Sequence, residues 1–167
     1  MNTIPVFYCE NMVGDVASFS PGSGKPKPVV ESWLNLEMPI SIRDVVPVID
    51  DMLCLAHSPN YVKKIFSGQE INGFRNTKTE LAETCRYTVG AMLAAGREAI
   101  SNGKLAVAPV AGFHHARYAK AGGFCTFNGL IIAAIALKNE GLVQRVGIID
   151  CDVHMAMELR PSLNYWN

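Results

Sequence analysis

Two apolar runs, LAVAPV at residues 105–110 and RVGIID at residues 145–150, flank the apolar stretch NGLIIAAIALK at residues 128–138. Their reading decides the fold. Each flanking run is short and apolar, as a buried strand is. The middle stretch, Asn128 to Lys138, is long enough for a helix and is closed by Gly141. Strand, helix and strand in this order make a βαβ unit. Such a unit implies a parallel sheet with helices on its faces, an α/β fold.

Working outward, Ile4 to Tyr8 reads as a first strand. Residues 14–28 hold Gly14, Pro21, Gly22, Gly24, Pro26 and Pro28, a density of breakers that makes a loop. Val29 to Leu36 is expected as a short helix, Ile40 to Val48 as extended chain and Asp50 to Ala56 as helical. Ser58-Pro59 reads as a helix start, with Tyr61, Val62, Ile65 and Phe66 inside it and Gly68 as its stop. Thr77 to Glu80 has capping-box spacing. Leu81, Cys85, Thr88, Val89, Met92 and Ile100 then recur at helical intervals up to Asn102-Gly103.

Composition narrows the function classes. The chain has 167 residues, 49% hydrophobic and 18% charged, with 15 Lys+Arg against 15 Asp+Glu. That is enough for one domain with a real core, and too apolar for a disordered chain. Neutrality argues against a nucleic-acid binder. The longest apolar run, Leu130 to Leu137, is too short to span a bilayer, and the N-terminal residues show no signal-peptide pattern. The five cysteines are widely spread with no CxxC spacing, which suits reduced thiols in a cytoplasmic protein.

In open parallel sheets, ligands bind at the carboxyl ends of strands. Two polar groups fall there: Gly112-Phe113-His114-His115-Ala116 after the first run, and Asp150-Cys151-Asp152-Val153-His154 at the end of the second. In an extended segment, Asp152 and His154 would point the same way and offer a carboxylate and an imidazole to one divalent ion such as zinc. Asp150 would lie on the same face, buried, in need of a cation or hydrogen bonds. Singly these are ordinary features. A strand-end Asp often caps the next helix, and tandem histidines occur in loops. Together, on adjoining strand ends, they point to a site. His57, just before Ser58-Pro59, reads as structural.

The segments Pro109 to Ala116, Gly123 to Asn128 and Asp150 to His154, in this order and spacing, closely resemble the histone deacetylase superfamily, which includes acetylpolyamine amidohydrolases. The segment His57 to Val62 resembles the family's early helix. The resemblance runs from about residue 4 to His154 and spans the first half of such an enzyme. It implies a three-layer α/β/α fold, about half of an arginase/deacetylase-type domain, and hydrolysis of acetylated amines at a zinc ion. His114 and His115 resemble the paired active-site histidines. Asp152 and His154 resemble two of three zinc ligands. Asp150 resembles the carboxylate that supports a catalytic histidine and helps to hold a structural potassium. Gly123 and Phe124 resemble the floor and wall of the acyl channel.

The family's further aspartate ligand and oxyanion-stabilising tyrosine come later than the end of this chain. Tyr165 is no substitute, because residues 155–167 have no family resemblance. Where the family continues His-Gly-x-Gly-Thr, the chain reads Met155-Ala156-Met157-Glu158. With one C inserted after the His154 codon, this stretch becomes His-Gly-(Tyr/His/Asn/Asp)-Gly for any codon choice. The expectation is a frameshift after residue 154, followed by an unrelated tail at 155–167. Read past the stop in the other frame, the gene should then show the family's later motifs. A chain of this extent is expected to be catalytically inactive, or to be completed by another subunit. The resemblance also implies that two central strands between the 105–110 and 145–150 runs come from the missing half. Either the second run closes up beside the first, or a second copy covers the gap. A homodimer or swapped oligomer through the exposed sheet edge is expected.

Overall fold

The computed structural model describes residues 3–14 and 21–154. The 155–167 tail, with its expected change of frame, lies outside the described residues, as do residues 15–20 of the breaker-rich loop. Strands β1 (Ile4–Phe7) and β2 (Ile40–Arg43) pair in parallel, with Val6 opposite Ile42. Helix α1 (Pro26–Asn35) lies in the connection between them. The chain is thus α/β with a parallel sheet, as its sequence implies.

Element ends differ from expectation for identifiable reasons. α1 starts at Pro26 rather than Val29, because a first helical turn tolerates proline: its N–H groups have no intrahelical acceptor. β2 stops at Arg43, and α2 (Asp50–Leu53) is a single turn of the expected Asp50–Ala56 helix. α3 (Pro59–Phe66) begins after Ser58, and Gly68 takes the left-handed conformation beyond its end, φ 70°. α4 (Thr79–Asn102) is the long helix and is closed by Gly103 at φ 64°. The capping box at Thr77 to Glu80 does not form. Lys78 is the cap, and its own N–H donates to Asn76 Oδ1 at 2.9 Å. α5 (Gly129–Asn139) is capped by Asn128, whose Oδ1 accepts from Ile131 N–H at 3.2 Å.

The core sits between α3, α4 and α5. Tyr61, Val62 and Ile65 of α3 meet Leu81, Cys85 and Val89 of α4 and Ile131 and Ile132 of α5, with Phe113 and Phe127 from the intervening loop. Each fully buried aliphatic or aromatic side chain here contributes about 2 kcal/mol relative to exposure. α5 is buried on nearly all sides, which its unbroken apolar sequence requires. Among the described residues, no helix is long and apolar enough to cross a membrane.

Two expected strands depart from the reading. In the 105–110 run only Val107 bridges, to Val6, with Phe7 N–H donating to Val107 O (2.8 Å) and Val107 N–H to Pro5 O (2.9 Å). The 145–150 run forms no strand and is not buried: Ile149 is 92% exposed. It has not closed up beside the 105–110 run. The βαβ unit is therefore incomplete among the described residues. A strand needs a neighbour for its backbone groups, and no described segment lies along this one.

Candidate active site

The segment from Ala111 to Asn128 connects the 105–110 run to α5, and its backbone is fastened from the α3 side. Tyr61 Oη donates to Thr126 O at 2.8 Å, and Ser58 N–H donates to Tyr118 O at 2.9 Å. Gly73 N–H donates to Thr126 Oγ1 at 3.0 Å. His57 is fully buried, edge-on to Phe127 at 5.3 Å between ring centroids. Its Nε2 accepts from Asn128 N–H at 2.8 Å, so its Nδ1–H donates to Arg117 O at 2.9 Å. Burial holds this imidazole neutral and pushes its pKa down to about 4. The structural reading of His57 is correct. Its partners, 60 and 71 residues away in sequence, were not visible in the local pattern.

The fastened loop presents His114 and His115 side by side, their ring centroids 4.0 Å apart. His114 Nδ1–H donates to Asp150 Oδ2 at 2.7 Å. This joins the two polar groups read from sequence, across 36 residues. Asp150 is exposed rather than buried, and its other oxygen accepts from Asp152 N–H at 3.0 Å. The Asp152 backbone donor, then His114, holds the Asp150 carboxyl below the usual range. A hydrogen bond thus reaches each oxygen of this carboxylate. Partial burial and then the neighbouring His114 push the His115 pKa down, which favours a neutral imidazole.

Asp152 and His154 come together, but on each other. His154 donates to Asp152 Oδ1 from its backbone N–H at 2.7 Å and from Nδ1 at 2.9 Å. Those two bonds, the backbone one first, hold the Asp152 carboxyl below its ordinary range. The His154 ring lies 6.0 Å from that of His115. One carboxylate and one imidazole are the right kinds of donor for zinc. They are too few, since catalytic zinc takes three protein ligands, and here the pair is spent internally. Among the described residues, no three His, Cys, Asp or Glu side chains are grouped to hold a metal ion. These residues alone therefore do not make a complete zinc site.

Gly123 sits against the His115 ring, and Phe124 follows it. Gly123 has φ 48°, and a Cβ there would overlap the His115 ring. Glycine is required by both the conformation and the close approach. Phe124 has φ 63°, an uncommon backbone state for a bulky residue and one that concentrates at functional sites. The adjoining glycines are the only sequence hint of that turn. Phe124 is half-buried against the core, and Cys125 Sγ–H donates to Gly123 O at 3.3 Å. All five cysteines are free thiols.

A family model described as the histone deacetylase domain matches residues 29–156. A polyamine deacetylase, HDAC10 of Rattus norvegicus, is 31% identical over 144 residues, 71% of this chain and 23% of that protein. A chloroplastic histone deacetylase 10 of Oryza sativa is 28% identical over 178 residues, 89% of this chain and 40% of that protein. The crystal structure of an HDA15 HD domain superposes with a TM-score of 0.70 at 17% identity, covering 83% of this chain and 44% of that one. The last likeness concerns the fold alone. The chain spans from about a quarter to two fifths of these two curated relatives.

Proposed function

The chain belongs to the histone deacetylase family, and from that premise we propose that it carries the histidine side of a zinc deacetylase site and does not turn over by itself. The observation that carries this reading is the 2.7 Å bond from His114 to Asp150, beside the donor pair Asp152 and His154, with which no third metal donor is grouped among the described residues. Asp150 fixes the His114 proton on Nδ1. The other ring nitrogen is left with a lone pair that can take a proton from water and return it to a leaving amine. His115, packed on His114, is the second histidine of the pair. By family resemblance Gly123 and Phe124 form the floor and wall of the acyl channel, with Gly123 packed directly against the His115 ring.

Zinc, when held by a complete ligand set, would polarise the amide carbonyl and lower the pKa of water. Two donors hold it weakly, and a site without an oxyanion donor loses most of its rate. A second reading, an active amidohydrolase of acetyl-lysine or acetylpolyamine, requires another subunit to supply both. The exposure of the 145–150 run favours such a partner. Independently of that reading, we infer that the open strand edges pair with a second copy of the chain, which would cover the edge without supplying those two groups. Light scattering that shows a monomer at micromolar concentration contradicts the pairing. Zinc titration together with an assay on acetyl-lysine and acetylpolyamine substrates tests the function. Weak zinc binding without turnover supports the inactive reading. Tight stoichiometric zinc with turnover lost in His114→Ala supports the completed enzyme.

A further inference from the structure

We propose that His57 is a positioning residue for the His114–His115 pair, acting as a two-ended clamp on the loop that carries them. This rests on the reading of that pair as the working side of the site. His57 touches neither histidine. Its Nδ1–H holds the carbonyl of Arg117, two residues after His115, and its Nε2 holds the N–H of Asn128 at the head of α5. Asn128 Nδ2 separately donates to Ala116 O at 3.4 Å, through a bond that does not involve His57. One imidazole therefore links the residues after the histidine pair to the first turn of the most buried helix.

Only one state of His57 does this. The neutral Nδ1–H tautomer both donates to Arg117 and accepts from Asn128. The other tautomer faces a carbonyl with a lone pair and an N–H with an N–H. Both nitrogens are engaged inside the core, which leaves His57 without a proton-transfer role. Its effect on chemistry passes through the loop backbone. The pair's rings are then expected to respond to the Arg117 end of the clamp and not to the Asn128 end.

His57→Asn and His57→Gln separate the ends. The Asn amide reaches the Nδ1 position and can still donate to Arg117 O. The Gln carbonyl reaches the Nε2 position and can still accept from Asn128 N–H. The readout is the ring nitrogen NMR spectrum of His114 and His115 in the whole chain, alongside backbone amide exchange. His57→Gln is expected to shift both histidine spectra. His57→Asn is expected to leave them in place while Asn128 N–H exchanges roughly tenfold faster, the effect of one lost hydrogen bond. Unmoved spectra in both variants, with the fold retained, overturn the proposal and leave His57 a stability element only. Should a variant not fold, the wild-type spectrum decides. A His57 that is Nε2-protonated or charged at pH 7 overturns the clamp, and a neutral Nδ1–H ring supports it. Absence of turnover in this chain does not alter these spectra, so the two proposals fail separately.

Discussion

Residues 111–128 and residues 145–154 bring the two sides of one site together, and they are held by different means. The first segment is irregular in conformation yet has its backbone met by His57, Ser58 and Tyr61 and its Thr126 hydroxyl by Gly73 N–H, and it buries Phe113 and Phe127. The second has the sequence of a strand yet lies exposed. Its recorded bonds are short-range turns at Asp150 and Asp152 and the one reach from His114 to Asp150. The lesson is that regular sequence does not guarantee a regular element. A loop becomes rigid when buried donors and acceptors from elsewhere meet its backbone, and a strand fails when no neighbour does.

Substitutions sharpen that contrast. Gly73→Ala should be the most damaging, at about 3 kcal/mol of stability, because its Cβ would overlap the backbone of Cys125. Denaturant unfolding monitored by circular dichroism measures this. A loss of similar size is expected on acidification through His57. Its folded pKa is depressed from 6.5 to about 4, so the unfolded state binds more protons between those values. Stability from this group is full above about pH 6.5, falls as pH drops and is gone below about pH 4, a total of about 3 kcal/mol. His57→Asn should flatten that part of the pH profile. Tyr61→Phe removes the donor to the buried Thr126 carbonyl and should cost about 1–2 kcal/mol. Ile149→Ala, on the exposed segment, should change the stability of the monomer by less than about 0.5 kcal/mol. If Ile149→Ala proves as costly as Tyr61→Phe at a concentration where the chain is monomeric, the 145–154 segment is packed within one chain, and the contrast breaks.

The same contrast explains what the sequence could reveal. Ser58-Pro59, Gly103 and Asn128 carry local signals for helix ends, and the helices start or stop beside them. The meeting of His114 with Asp150 was expected from strand ends sharing an edge and from the family resemblance; the bond forms although the 145–150 run makes no strand. The exposure of Asp150 and of the 145–150 run was not legible, since burial depends on neighbours that no local pattern specifies. The direct bonding of His154 to Asp152 follows from a turn where extended chain was expected. The engagement of His57 by Asn128 depends on a contact remote in sequence, whereas the left-handed turn at Gly123-Phe124 is closed locally by the paired backbone bonds of Gly122 and Cys125.

The central proposal is that a well-fastened histidine pair is joined to a metal-donor set that is incomplete among the described residues. Calorimetric titration of zinc into this chain, followed by assay of the zinc-loaded protein on acetyl-lysine and acetylpolyamine substrates, tests it most directly. The account expects weak binding, lowered further by Asp152→Ala, and no turnover. One tightly bound zinc per chain with turnover abolished by His114→Ala would contradict it.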